Sequence, residues 1–173
     1  QGVPNPDYTG GDGGAFHSIG SDEVRMTEVL VEDCAFRRNH ALQGAGVYVS
    51  RFSEGTVRRC RFYDNTAHFA GGAVYKGGEN YESRGETLYV DSCLFVRNLA
   101  GFFADGQPTG TGARGGAIKC RMYPRVIVRH GTFVDNRIQA LGVPAYGDAF
   151  AHNIESGAWE PEMLCVLQNC VFW

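Results

Sequence analysis

The sequence has no long apolar run, no signal-peptide pattern and no common catalytic motif. Across 173 residues no apolar stretch approaches the ~18 residues that a membrane-spanning helix needs, which excludes a helical span. Because the charged and apolar segments of a signal peptide are absent, we expect an exported protein to be seen here in mature or excised form. No G-x-S-x-G, H-E-x-x-H or P-loop motif is present, which removes the usual signatures of serine hydrolases, zinc peptidases and nucleotide hydrolases.

A strong net charge and a helical pattern are also absent. The formal charge is −3, from 16 Lys and Arg against 19 Asp and Glu, so nothing favours general binding to nucleic acid or to anionic membranes. No window carries apolar residues at positions i, i+3, i+4 and i+7 over the length of an ordinary helix. Since 43% of the residues are hydrophobic, the chain can still build a core, and its length suits one domain.

Signals for metals and cofactors are missing as well. The six cysteines include no C-x-x-C pair, which argues against a zinc site. The stretch GGDGG at 10–14 resembles a fragment of a calcium-binding glycine repeat, but it has neither the required period nor a second copy. We therefore predict no metal and no cofactor; calcium stays open but is not indicated.

The sequence does contain a repeat. Its clearest copy runs from Cys60 to Tyr75 and reads C-x-F-x-x-N-x-A, a short spacer, then G-G-A-V-Y. The C-x-F position recurs at 34, 60, 93, 131 and 170, so the steps are 26, 33, 38 and 39 residues long. The steps differ because inserts of different size fall between constant elements, which is typical of loops on one side of a stacked array.

Short β-rich runs accompany each copy of the repeat. A unit with two or three short strands per ~25 residues cannot bury its own apolar face, so it must stack on copies of itself. The pattern predicts an all-β, single-stranded parallel β-helix of about five rungs with open ends, right-handed because parallel crossovers favour that hand. Residues 1–12 are then a lead-in segment, and residues 13–173 form the β-helix domain, which we expect to be part of a longer β-helix.

Equivalent side chains of a parallel β-helix lie in files about 4.8 Å apart, the ordinary spacing of paired strands. Three files are predicted. The inward aromatic file comprises Phe36, Phe62, Phe95, Phe133 and Phe172. The cysteine file comprises Cys34, Cys60, Cys93 and Cys170, with Gly131 in the fourth place. The asparagine file comprises Asn39, Asn65, Asn98 and Asn136. Stacked amides can hydrogen-bond to one another, and Asn tolerates the left-handed backbone of a sharp corner.

We expect the cysteines of the file to be thiols. Four cysteines at one inward repeat position are typical of small buried hydrophobes. Neighbouring rungs place their Cα atoms about 5 Å apart, but side chains that point the same way do not easily reach the dihedral angle of a disulfide. Cys120 and Cys165 lie off the file, and they either pair with each other or sit singly in the core.

The motif C-x-F-x-x-N-x-A…G-G-A-[IV]-Y resembles the repeat of chlamydial polymorphic outer-membrane proteins, which also occurs in secreted bacterial and algal right-handed β-helix proteins. The resemblance covers the chain from Gly13 to Phe172 and implies the β-helix fold. It also implies an extracellular or cell-surface location, but it leaves the activity open, because such proteins include adhesins and surface proteins and share their architecture with polysaccharide lyases. The chain departs from the pattern at Gly131, at 44–46 and at 147–149.

A strip of polar and aromatic side chains is predicted on the strands that follow the glycines. Period-two alternation turns one residue of each strand inward and the next outward. The outward residues are His17, Tyr48, Tyr75, Lys119 and Ala151. Together with Arg121, the first four of these are candidates for binding sugar rings. The alternative is that tyrosine simply has a high strand propensity on an exposed face.

Basic residues concentrate in the fourth rung: Lys119, Arg121, Arg125, Arg129 and His130. Because arginine pairs bidentately with carboxylates, this group could hold the uronic acids of an acidic polysaccharide. In a β-helix lyase, cations neutralise the carboxylate while Lys, Arg or His removes the α-proton, so four of these residues (Lys119, Arg125, Arg129 and His130) are catalytic candidates. The alternative is a set of solvated charges that nearby acidic residues offset.

Carboxylates for hydrolase chemistry would be Asp64, Asp91, Asp135 and Asp148. Asp64 and Asp135 occupy one repeat position, just before the Asn, and this recurrence indicates a turn.

Three functions stay open. The first is an exported or cell-surface segment that acts as a scaffold, adhesion or assembly component with some contact to carbohydrate, and not as an enzyme. The second is a polysaccharide lyase, or a glycoside hydrolase, that acts on acidic polysaccharide. The third is a subunit that docks through its open ends on flanking rungs or neighbouring subunits. We expect polysaccharide and protein partners, no nucleic acid and no membrane span.

Overall fold

The protein is represented by a computed structural model that describes residues 11, 13–21, 26–77, 86–102, 113–121, 125–139, 147–153 and 165–173. Within these residues the chain forms nineteen short strands and no helix, and every strand pair is parallel. Apart from Gly11, the predicted lead-in at 1–12 lies outside the described residues.

Each complete turn of the coil contains four strands. The first turn consists of β2 (Thr27–Glu32), β3 (Ala35–Arg37), β4 (His40–Gln43) and β5 (Val47–Val49). The second consists of β6 (Ser53–Arg58), β7 (Arg61–Tyr63), β8 (Thr66–Ala70) and β9 (Val74–Lys76). The third consists of β10 (Thr87–Asp91), β11 (Leu94–Val96), β12 (Leu99–Ala100) and β13 (Ile118–Arg121). The fourth consists of β14 (Arg125–Arg129), β15 (Thr132–Val134), β16 (Arg137–Ile138) and β17 (Phe150–Asn153). Strand β1 (Phe16–Ser18) precedes these turns, and β18 (Cys165–Gln168) and β19 (Val171–Phe172) begin a fifth.

Equivalent strands of successive turns pair to form four sheets that run along the coil. Sheet A has the order β1-β5-β9-β13-β17, sheet B β2-β6-β10-β14-β18, sheet C β3-β7-β11-β15-β19 and sheet D β4-β8-β12-β16. The predicted parallel β-helix of about five rungs is therefore confirmed. The expected two or three strands per turn is too low, because the residues after each Asn form sheet D. Its strands read HALQ, TAHFA, LA and RI, too short and too varied to stand out in the sequence.

The aromatic file is confirmed. Its five phenylalanines pair in register through sheet C, with ring centroids 4.7–4.9 Å apart and ring planes within 8° of parallel. The rings of Phe62, Phe95 and Phe133 are completely buried. Valines from sheet B, such as Val57 and Val90, complete the same core. The interior is thus a set of stacked files, each held by contacts with the turn before and the turn after.

The asparagine file forms a hydrogen-bonded ladder. The Nδ2 atoms of Asn39, Asn65 and Asn98 each donate to Oδ1 of the next asparagine at 2.9 Å. That Oδ1 also accepts the backbone N–H of the preceding asparagine at 3.0–3.2 Å. From Asn65 onward, Nδ2 additionally donates to the carbonyl of a phenylalanine on the preceding turn at 3.0–3.1 Å. The ladder therefore satisfies backbone groups at a corner where the regular strand pairing is interrupted.

The left-handed backbone of this corner belongs to the residue before each asparagine, so the prediction that the asparagines adopt it was wrong. The left-handed residues are Arg38, Asp64, Arg97 and Asp135, with φ of 50–54°. The asparagine N–H points along the coil and donates to the ladder. A second left-handed file forms the corner between sheets B and C and comprises Asp33, Arg59, Ser92, His130 and Asn169.

All six cysteines are thiols. Cys60 and Cys93 are buried, and each Sγ donates to the carbonyl two residues earlier at 3.3 Å. The hydrogen bond with Cys60, together with burial, raises the pKa of Cys93, which keeps this thiol protonated. Cys120 is buried and Cys165 is exposed, and they form no disulfide. At Gly131 a Cβ would lie 2.8 Å from the Phe133 ring, so the ring fills the space that a cysteine would need.

The paired glycines before sheet A supply backbone freedom and allow close approach of successive turns. Gly71 and Gly115 have φ of 61° and 64°, a conformation that side chains disfavour. A Cβ on Gly72 would lie 2.1 Å from the carbonyl oxygen of Gly116, so the corners of successive turns touch backbone to backbone.

Candidate functional site

The predicted carbohydrate strip is a continuous file on sheet A. Parallel pairing places His17, Tyr48, Tyr75 and Lys119 side by side in register. The ring of Tyr48 lies edge-on to His17 at 4.7 Å and stacks on Tyr75 at 5.0 Å. The neighbouring file of Val47, Val74 and Ile118 is completely buried, so the alternation of the strands is as predicted.

The strip is not exposed along its whole length. His17 is exposed and Tyr48 is half-buried, whereas Tyr75 and Lys119 are each only 2% exposed. Part of the burial comes from the corner glycines: Gly44 lacks a Cβ, and this lets the corner backbone approach the Cβ of Tyr75 closely. The flat outward strip that we expected therefore ends at Tyr48, and the next two members line a cleft.

This cleft, which we call the sheet A cleft, has a volume of about 220 Å³. Its walls are Gln43, Phe69, Ala70, Tyr75, Arg114, Lys119 and Arg121. Three of these side chains are cationic and two are aromatic, and no carboxylate occurs among the described residues that line it. The arrangement suits a ligand that carries negative charge and some apolar or ring surface.

Sequence reasoning missed the part of the cleft that Arg114 contributes. The N–H of Arg114 donates to the carbonyl of Phe69 at 3.2 Å, and its carbonyl accepts from Gly71 at 3.1 Å. Gln43, Ala70 and Arg114 each precede a corner glycine, so they form one file across the turns. Aligning the residue before each glycine pair would have revealed this file.

The ionisable side chains in the wall of the cleft are in their protonated forms and can donate hydrogen bonds. Burial raises the pKa of Tyr75, and the neighbouring Tyr48 adds to this, whereas a hydrogen bond with Arg121 acts in the opposite direction. The phenol is therefore neutral, and Lys119 lies directly across from it on the adjacent strand. Guanidinium, ammonium and phenol groups together can donate to carboxylate oxygens and to sugar hydroxyls.

The structure does not bring the proposed catalytic residues together. Lys119 lies on sheet A, whereas Arg125 and Arg129 stand at opposite ends of β14 on sheet B, about 13 Å apart for a five-residue strand. His130 forms the corner after β14, where its Nδ1 lies 2.9 Å from Oδ1 of Asp91. Lys119 is thus on a different face from the other three catalytic candidates.

Asp64 and Asp135 occupy a corner, as their recurrence predicted, whereas Asp91 ends strand β10. Asp64 accepts two hydrogen bonds from Arg97, at 2.7 and 3.1 Å, and both Asp64 and Asp135 have left-handed backbones. Oδ1 of Asp148 accepts the N–H of Ile138 at 3.1 Å. These contacts support the structural interpretation of these residues.

A buried ion pair at the corner between sheets A and B was not predicted. Lys76 and Glu86 are both completely buried and pair directly. The Lys76 ammonium also donates to the carbonyls of Ser50 at 2.7 Å and Gly77 at 3.1 Å, and Glu86 accepts the N–H of Phe52 at 2.6 Å. Burial lowers the pKa of Lys76, which Glu86 opposes. One signal in the sequence could have revealed the pair: Lys76 occupies an inward position that Val49 holds on the preceding turn.

Cys120 follows Lys76 in that inward file. Burial raises the pKa of Cys120 to about 12, so the thiol stays protonated beside the ion pair.

Among the described residues, no three His, Cys, Asp or Glu side chains are grouped so that they could hold a metal ion. In the same part of the chain no helix has the length and apolarity to cross a membrane. No protein family, curated protein or solved structure matches the chain. The resemblance to polymorphic outer-membrane repeats therefore stays a prediction from the repeat motif.

Proposed function

We propose that the chain is part of an exported or cell-surface β-helix scaffold that binds acidic carbohydrate in the sheet A cleft. The observation that carries the proposal is the set of three cationic and two aromatic side chains around one cleft. A uronate carboxylate matches the planar donors of Arg114 and Arg121, and the apolar face of a sugar ring can pack on Phe69. At about 220 Å³ the cleft is smaller than a typical ligand pocket, which suits one sugar unit of a longer polymer.

Binding without turnover is favoured over lyase chemistry because only one of the four candidate catalytic residues, Lys119, lines the cleft among the described residues. A lyase needs a base within hydrogen-bond reach of the proton that it removes. Arg125, Arg129 and His130 lie on sheet B or at its corner, so the predicted catalytic group does not converge on the cleft.

Calorimetric titration with short oligogalacturonates, and with neutral cello-oligosaccharides of the same length, tests the proposal. We expect binding of the acidic series only, weakening as salt is added. Arg114→Gln and Arg121→Gln should each reduce the affinity about tenfold, since each removes a charge-assisted hydrogen bond. Both side chains are half-buried at the cleft, so these changes spare the core.

Arg61→Gln is the matched control, because Arg61 is exposed on sheet C, away from the cleft. Equal binding of neutral and acidic sugars, or equal loss in the control, would contradict the proposal. Ultraviolet absorbance that grows during incubation with alginate, pectate or chondroitin, and that disappears in Arg129→Ala, would show lyase activity and overturn the non-enzymatic assignment.

We also propose that the ends of the coil dock flanking rungs or neighbouring subunits. Leu167 and Phe172 belong to inward files, yet they are 45% and 48% exposed, whereas their counterparts one turn earlier, Val128 and Phe133, are buried. Uncovered inward residues beside strand edges are a template for further pairing. Light scattering tests this: we expect end-to-end oligomers that grow with concentration and that Phe172→Glu or appended flanking rungs prevent. A particle size that Phe172→Glu leaves unchanged would contradict it.

A further inference from the structure

The outer face of sheet B carries an apolar file where polar residues would be expected. This outward file comprises Leu30, Thr56, Tyr89, Ile127 and Val166, paired in register across the five strands. Leu30 is 58% exposed and Tyr89 is 43% exposed, the highest values among the large apolar side chains of sheets A to D outside the last turn. The other outward positions of sheet B are polar in the first four turns, so the apolar file stands out and this face is suited to contact with another surface.

Charges of alternating sign run beside the apolar file. Two positions further along each strand, the outward residues of the first four turns are Glu32, Arg58, Asp91 and Arg129. On the other side of the apolar file, the corresponding residues of the first four turns are Glu28, Glu54, Thr87 and Arg125. The file of Glu32, Arg58, Asp91 and Arg129 therefore carries two negative and two positive charges. It does not favour a partner surface that is uniformly positive or uniformly negative.

We infer that this face is the contact surface of a homodimer in which two copies pack sheet B against sheet B with their coils antiparallel. The twofold axis would run along the strand direction, between the second and third turns, so that the first turn of one copy faces the fourth turn of its partner. Closed twofold contacts of this kind are the commonest among homo-oligomers.

Charge complementarity is what selects a second copy as the occupant. In this orientation Glu32 faces the partner's Arg129, and Arg58 faces the partner's Asp91. Within its own chain Glu32 already pairs with Arg58 and Arg59, and Asp91 with His130, so the contacts between copies extend existing ion pairs. The sequence of signs reads minus, plus, minus, plus along the coil, and reversing it places every charge opposite its counterpart. Glu28 likewise faces the partner's Arg125. In the apolar file, Leu30 then packs on the partner's Ile127, and Tyr89 on the partner's Thr56.

A twofold axis parallel to the coil does not give the same match. It would place Glu28 against the partner's Glu32 and Arg125 against the partner's Arg129, and these repulsive contacts outnumber the attractive contact of Glu54 with the partner's Arg58. The pattern of the face therefore specifies one orientation as well as one kind of partner.

The size of the face sets the strength of the contact. The four turns that overlap, at about 4.8 Å spacing and with about five residues at ~3.3 Å, give a footprint of roughly 320 Å² per copy. Both copies together then bury on the order of 700 Å² of accessible surface, which is below the size of a stable specific interface. The dimer should accordingly be weak, dependent on concentration and weakened by salt.

Sedimentation equilibrium of the 173-residue chain over a range of concentrations tests the inference. Arg129→Glu and Glu32→Arg each place like charges opposite each other in both symmetry-related contacts, and each should weaken self-association at least tenfold. An equimolar mixture of the two variants should restore it, because each introduced charge then meets its opposite. Failure of the mixture to associate would overturn the proposed orientation.

Two further variants protect the test against effects on folding. Tyr89→Lys changes an exposed side chain near the axis and should abolish association, with little change in the thermal unfolding midpoint. Arg61→Glu makes the same charge change as Arg129→Glu on the outer face of sheet C and should leave association intact. A wild-type chain that stays monomeric up to about 1 mM, which corresponds to −4.1 kcal/mol, would overturn the inference. So would association that Phe172→Glu abolishes and Tyr89→Lys does not, since it would place the contact at the end of the coil.

Discussion

The asparagine side chains explain how a corner of this fold is held together without regular strand pairing. The amides of Asn65 and Asn98 each bond to the next amide, to a backbone N–H of the preceding turn and to a carbonyl of the preceding turn. Asn98, which is completely buried, makes four such hydrogen bonds with Asn65, Asn136 and Phe62. Since a buried group left without a partner costs more than a bond contributes, the ladder matters most where it is deepest.

Asn98→Ala should therefore destabilise the protein by about 3–5 kcal/mol, because it leaves a backbone N–H, an amide N–H and a carbonyl without partners in the interior. Urea unfolding followed by circular dichroism measures the change. Asn39→Ala is the matched control: Asn39 is half-buried and only donates, so about 1 kcal/mol is expected. Equal losses at the two positions would contradict a role for burial in the ladder.

His68 should make the stability depend on pH. Burial lowers the pKa of His68, so the folded state binds this proton less tightly than the unfolded state, whose pKa is about 6.5. Stability is complete above pH 6.5 and falls as the pH drops through this value. We expect the unfolding midpoint to fall by about 2–4 °C between pH 7 and pH 5, the shift that 1 kcal/mol produces for a chain of this size.

Differential scanning fluorimetry of the wild type and His68→Leu isolates this effect. Subtracting one pH profile from the other removes the contribution of the other histidines to the pH dependence of the unfolding midpoint. Glu32 and Asp33 do not interfere, because contacts with Arg58 and Arg59 lower their pKa values and move their titration below pH 4.5. Parallel profiles for the two proteins would show that His68 does not carry the dependence.

Corners and strands differ in how far the sequence predicts them. Sheet C was predictable because the C-x-F motif repeats with a buried ring at one position. Sheet B was predictable because valines recur in the run that precedes each C-x-F motif. Sheet D was missed, since its strands range from TAHFA to LA and rely on pairing with longer neighbours. The left-handed residues escaped prediction because Arg38 and Arg97 have no intrinsic preference for that conformation. The corner geometry imposes it, since the corner between sheets B and C adopts it without an asparagine ladder.

The buried pair of Lys76 and Glu86 connects the second and third turns at a corner, and it should behave as a unit. Glu86→Ala leaves a buried ammonium without its counter-ion and should cost about 3–5 kcal/mol in chemical unfolding. Lys76→Met with Glu86→Gln should recover most of this loss, because it removes both charges and keeps an acceptor for the N–H of Phe52. A double variant as unstable as Glu86→Ala would show that the unpaired charge of Lys76 does not cause the loss of stability.

The sheet A cleft shows why sites are harder to predict than files. Tyr75, Lys119 and Arg121 came from alternation along predicted strands, and all three do line the cleft. Their burial did not follow from alternation, since it depends on how closely the corner glycines approach. Arg114 lies at the end of the insert after β12, and Phe69 lies at an irregularity where β4 and β8 shift register. A repeat motif specifies neither feature.

Along the complete coil, stability should be graded and not uniform. Each turn contacts only its neighbours, so a central turn has two partners while a terminal turn has one. Val57 and Val90 are completely buried in the second and third turns, whereas Leu167, in the same file at the last turn, is 45% exposed. Native-state hydrogen exchange read by mass spectrometry should therefore give the slowest amides in β6 and β10 and faster ones in β18.

The concentration dependence of that exchange separates the two proposed contacts. Docking at the ends would slow exchange in β18 and β19 as the protein is concentrated. Packing of sheet B on a second copy would leave the gradient along the coil in place and would reduce exposure of side chains such as Tyr89 instead. Uniform protection from β2 to β18 at low concentration would contradict both the graded stability and the neighbour-only packing from which it follows.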